Sequence, residues 1–84
     1  MKKFVEVSGE GLEGLLGERV AIWCECYIYA GKLVGVNKDD ILLEDAHLVY
    51  ETGPLTTKGF NDAQPLPGPW YIRIAKIESY GAMQ

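Results

Sequence analysis

The clearest pattern along the chain is a run in which apolar residues stand at every second position. Val20, Ile22, Cys24, Cys26 and Ile28 form one unbroken apolar set, in a stretch rich in β-branched and aromatic residues. Period-two alternation in such residues predicts a strand. The intervening positions, Ala21, Trp23, Glu25, Tyr27 and Tyr29, are largely aromatic too. A strand apolar on one face needs one covering layer, and aromatic residues on its other face predict a further contact, such as a second subunit. Strand character over roughly fifteen residues exceeds a typical strand, so a bend or turn is expected inside the run. Gly31-Lys32-Leu33-Val34-Gly35-Val36 continues as strand, with glycines that permit curvature. Asn37-Lys38-Asp39-Asp40 is a turn signal. Residues 41–50 read as the next strand, kinked near Asp45-Ala46. Residues 70–74 and 77–80 read as two closing strands on either side of Ala75-Lys76.

Two segments break this pattern. In residues 8–17, Leu12, Leu15 and Leu16 have helical spacing, Ser8 suits an N-cap and Gly17 a stop. A short helix weakened by glycine is expected there. Residues 52–69 hold all 4 prolines of the chain. They predict a long, stiff loop rather than a strand. The expected fold is therefore mostly β: a short N-terminal helix, then a five-stranded, strongly bent barrel, which limits exposed edges. It forms a single domain over 1–84, with an N-terminal segment 1–18, three strands in 19–50, the loop 52–69 and two strands in 70–80.

Composition narrows the function. The 84 residues have ordinary hydrophobic and charged fractions, 48% and 24%, which argues against a disordered chain. At this length the core is marginal. With 12 acidic against 8 basic residues, the net charge of −4 argues against DNA as a partner, since phosphate binding rests on clustered Lys and Arg. No apolar run is long enough to span a bilayer, and Lys2 and Lys3 are not followed by the apolar segment of a signal peptide. Cys24 and Cys26 stand side by side on one strand face, where a disulfide is sterically unfavourable; they read as two small buried residues. His47 is the single histidine, so neither a metal site nor a His-based triad is expected. These signs favour a cytoplasmic protein with no cofactor and no enzymatic activity.

The order of elements, with two motifs, resembles the Sm-like (LSm) family, which includes the bacterial Hfq branch. The first motif is a Gly-x-Leu strand, an acidic turn and a Leu-rich strand ending near Asp-Ala. It is matched by Tyr29-Ala30-Gly31-Lys32-Leu33-Val34-Gly35-Val36-Asn37-Lys38-Asp39-Asp40-Ile41-Leu42-Leu43-Glu44-Asp45-Ala46, after a similar lead-in, Gly17-Glu18-Arg19-Val20. The second motif, Ile-Arg-Gly and an apolar strand, is echoed by Ile72-Arg73-Ile74-Ala75-Lys76-Ile77. The likeness runs from about Leu12 to Tyr80 and suits a divergent bacterial or phage-type member. It implies an Sm-like (SH3-type) barrel and a homo-oligomeric ring of roughly five to seven subunits. Strand 70–74 of one subunit would pair with 77–80 of the next, so the implied interface is Trp70, Tyr71, Ile72, Ile74, Ile77, Ser79 and Tyr80.

The resemblance also implies single-stranded RNA contact at Asn37, Asp39, Asp40, Arg73 and Lys76. The departures bear on that function. The turn is a residue shorter than in RNA-binding members, and Asp39 and Asp40 stand where a stacking aromatic and a base-reading Asn are usual. Carboxylates neither stack nor attract phosphate. Ile74 replaces the motif's Gly, and the Hfq-type Tyr-Lys-His run is absent. Two functions remain open: a ring that binds RNA at a diverged site, or a protein-interaction scaffold ring that does not. Arg73 either contacts phosphate or pairs with a neighbour such as Asp40. Trp23, Tyr27 and Tyr29 either stack bases or serve core and interface. Trp70, after Pro67-Gly68-Pro69, either clamps the loop to its own sheet or holds a proline-rich partner.

Overall fold

The computed structural model describes residues 10–55, 60 and 62–83. Six strands follow one another: β1 (Arg19–Cys24), β2 (Ile28–Val36), β3 (Asp40–Glu51), β4 (Asp62–Pro65), β5 (Trp70–Arg73) and β6 (Ile77–Ala82). Two 3-10 turns, Glu13–Leu15 and Ile74–Lys76, complete the regular structure. All pairings are antiparallel, in the order β4-β3-β2-β1-β6, with β5 also paired to β3.

The expected break in the first apolar run lies at the β1–β2 turn, closed by the Cys24 N–H donating to the Tyr27 carbonyl at 2.9 Å. Alternation holds only as far as Cys24. Cys26 lies in the turn and is exposed, which corrects the reading of both cysteines as buried. The kink in β3 is a bulge: Ala30 faces His47 and Lys32 faces Glu44, so Asp45 and Ala46 together oppose Gly31. Asp45 takes φ +51, and its carboxylate accepts a 3.0 Å hydrogen bond from Arg19. Beyond the bulge β3 changes partner. Residues 40–43 pair with β5 and residues 47–51 with β4.

Two features of the expected fold are corrected. In place of the N-terminal helix there is one 3-10 turn of three residues, Glu13–Leu15. Gly11 and Gly17, at φ +73 and +88, bracket it in a conformation a right-handed helix cannot contain. Leu12 and Leu15 still pack on the core, which explains their spacing. Ser8, the expected cap, lies outside the described residues.

The five-stranded barrel is replaced by a single six-stranded sheet that is not closed. The sixth strand, β4, lies inside the segment expected to be loop throughout. It is an edge strand of four residues, and Pro65 ends it, so the missing proline N–H interrupts no central ladder. Closure fails because β5 bonds only to β3 and β6 only to β1 among the described residues. The 3-10 turn between β5 and β6 joins them in sequence without pairing them.

The core is Val20, Ile22, Leu33, Ile41, Leu43, Ala46 and Ile72, drawn from β1, β2, β3 and β5. Leu66 from the proline-rich segment and Trp70 at the start of β5 pack against it. The Leu66 N–H donates to the Ala46 carbonyl at 2.8 Å. Among the described residues no helix is long and apolar enough to cross a membrane.

Candidate functional site

The turn between β2 and β3 is tied to itself. Asn37 donates its backbone N–H to the Asp40 carbonyl at 2.8 Å and its Nδ2 to Asp40 Oδ1 at 2.9 Å. The Asp39 carbonyl accepts the Ile74 N–H at 2.9 Å, which docks the turn on the start of the second 3-10 turn. Arg73 stands opposite Asp40 in the β3–β5 register. An open hollow of about 600 Å³ results, lined by Lys38, Asp39, Asp40, Arg73, Ile74 and Ala75. Of the residues expected to contact RNA, Asp39, Asp40 and Arg73 meet here, while Asn37 spends its side chain on Asp40.

Arg73 also borders a second, more apolar groove of about 250 Å³ between the β1–β2 turn, β5 and the second 3-10 turn. Its walls carry Tyr27, Tyr29 and Tyr71, with Lys76 at the rim. Tyr27 and Tyr29 meet edge to face, with ring centroids 6.3 Å apart and planes at 60°. Lys76 Nζ lies 3.8 Å from Glu25 Oε2, and both side chains are exposed. Such a pair contributes little to stability but locally neutralises the lysine. Among the described residues Arg73 forms no ion pair, and the Asp40 carboxylate accepts from Asn37 instead.

Cys24 and Tyr29 set the chemistry of this groove. Partial burial, followed by the nearby Glu78 and Glu25 carboxylates, raises the Cys24 thiol above its ordinary value. Burial, then the neighbouring Cys24, Tyr27 and Cys26, likewise raises the Tyr29 hydroxyl. Both groups stay protonated and uncharged at neutral pH. The groove therefore offers aromatic faces, the uncharged Cys24 thiol, and Arg73 and Lys76 together with the Glu25 carboxylate. Among the described residues no three His, Cys, Asp or Glu side chains gather as metal ligands. His47 approaches the Asp45 carbonyl through Nδ1 at 3.1 Å.

The expected interface residues divide in two. Ile72 is buried, and Trp70, Ile74 and Ile77 pack against the core. Ser79, Tyr71 and Tyr80 remain exposed, the tyrosines by 62% and 41%. Of the aromatics considered for stacking, Tyr27 and Tyr29 line the groove. Trp23 instead packs edge to face on Phe60, with centroids 6.3 Å apart. Sequence reasoning missed Tyr71 as a groove residue, since only the β3–β5 pairing brings it beside the β1–β2 turn. The signal available was the two-residue spacing of Tyr27 and Tyr29. Comparison with family models gives no match to this chain, and comparison with curated proteins gives no relative at a significant level.

Proposed function

We propose that the protein is a non-enzymatic Sm-like subunit that assembles with copies of itself and serves as a protein-interaction scaffold. The observation that carries this reading is that β5 and β6, like β4, each pair with one strand among the described residues, so that the outer edges of β5 and β6 are open. Unpaired strand edges present backbone N–H and C=O groups that a matching strand satisfies. β5 of one copy against β6 of the next uses both edges, and a contact of this heterologous kind closes into a ring when its rotation permits. Tyr80 adds an exposed aromatic anchor on β6.

Charge favours the scaffold over the RNA reading. Asp39 and Asp40 share the hollow of Arg73, Glu25 faces Lys76, and the chain carries −4 overall. Single-stranded RNA binding relies on a basic track as well as stacking platforms.

Multi-angle light scattering at tens of micromolar tests the assembly. A mass several times the 9.3 kDa of the chain is expected, falling when Tyr80→Asp places a charge on the β6 edge. A wild-type monomer refutes the reading. Nanomolar oligouridine binding in physiological salt would return the site to RNA.

A further inference from the structure

We infer that the tyrosine groove is a docking site for an extended, proline-containing peptide that carries one carboxylate. The groove measures about 250 Å³ and is partly open to solvent. Enclosed small-molecule sites run from about 300 to 1,000 Å³ and bury most of their ligand, so this groove suits side chains presented from a passing chain. Three tyrosines form its walls, and Tyr27 and Tyr71 keep 57% and 62% of their surface exposed in the isolated subunit. Proline rings pack flat on such faces, and a polyproline-type segment loses little conformational entropy on docking.

Charge complementarity selects the rest of the peptide. Arg73 is the groove cation without an ion pair among the described residues, whereas Lys76 faces Glu25. A guanidinium at the end of an aromatic groove takes one carboxylate in a paired hydrogen bond. A polyphosphate chain would need several cations in a row, and Lys76, the other cation of the groove, already faces Glu25. Among the described residues none of the proline-rich segment lines the groove, and its Leu66 packs on the core and donates its N–H to the Ala46 carbonyl. The groove belongs to one subunit, so this inference gives the scaffold a partner without depending on ring assembly.

The test is a fluorescence anisotropy titration of the full chain with two labelled decapeptides. Both contain Pro-Pro-Leu-Pro, followed by Asp in one and by Asn in the other. Saturable binding of the Asp peptide below about 1 mM is expected. Arg73→Gln should weaken that peptide about ten-fold, to the level of the Asn peptide, whose affinity it leaves unchanged. Tyr27→Ala, an exposed turn position, should weaken both. Circular dichroism on each variant checks the fold, and light scattering separates any effect on assembly from loss of docking. Absence of saturation, equal wild-type affinity for the two peptides, or insensitivity to Tyr27→Ala each overturns the inference. Oligouridine binding tighter than the Asp peptide, and lost in the same variants, overturns it in favour of nucleic acid.

Discussion

Gly31 leaves less room for a side chain than Gly35, the other glycine of β2. A Cβ on Gly31 would stand 3.0 Å from the Glu44 carbonyl oxygen and 3.2 Å from the Ala46 Cα, both backbone atoms of the bulge in β3. Neither can swing aside as a long side chain would. Gly31→Ala is therefore expected to cost about 1–3 kcal/mol in urea unfolding, the usual range for overpacking. Gly81→Ala, where nothing lies within 4 Å, should change stability by less than about 0.5 kcal/mol. The cysteines give a second test. Exposed Cys26 should alkylate with iodoacetamide well before half-buried Cys24, whose thiol resists ionisation. The folded chain holds the Cys24 proton more tightly than the unfolded chain, whose ordinary value is 9.0. That contribution to stability is whole below pH 9 and is lost as pH rises through the higher folded value. The pH dependence of the urea midpoint should show the decline, and Cys24→Ser should reduce it.

The strands differ in how firmly they are held. β1, β2 and the first half of β3 supply most of the core, whereas β4 has four residues, none of them buried. It is fastened by its pairing to the second half of β3 and by the Tyr50 hydroxyl donating to Gln64 Oε1. Local opening follows low burial and exposed hydrogen bonds. Amides of β4 should accordingly exchange with deuterium well ahead of those of β1 and β2. Equal protection in β4 and β1 would show that the outer half of β3 is covered by something beyond its own chain. β5 is as short as β4, yet Ile72 anchors it in the core. This anchor places Tyr71 and Arg73 on the groove, and the outer edge of β5 has no partner strand among the described residues.

For the whole molecule, a core cluster of seven buried side chains is small. Domains of this length bury a smaller fraction of their surface than larger ones do, so association adds to what the core supplies. If the outer edges of β5 and β6 are joined between subunits, unfolding is coupled to dissociation. The urea midpoint of the wild type should then rise with protein concentration, while that of Tyr80→Asp should not. A midpoint independent of concentration for both proteins would match a monomer whose edges stay solvated.

The alternation of Val20, Ile22 and Cys24, the turn at residues 37–40 and the flanks of the 3-10 turn follow from local chemistry. Side-chain period, turn residues and glycine act within a few positions of sequence. The sequence alone therefore determined a mostly β chain with β1, β2 and β3 near their observed places, a kink at Asp45 and an acidic turn at Asp39-Asp40. It did not determine closure of the sheet. Closure depends on which edge each half of β3 meets after the bulge, a pairing set by contacts distant in sequence. Four prolines concealed β4, because proline is tolerated at the end of an edge strand and excluded from a central one. The groove is likewise a product of tertiary structure. Tyr27 and Tyr29 are close in the chain, but Tyr71 and Arg73 join them only because Ile72, between the two, is drawn into the core.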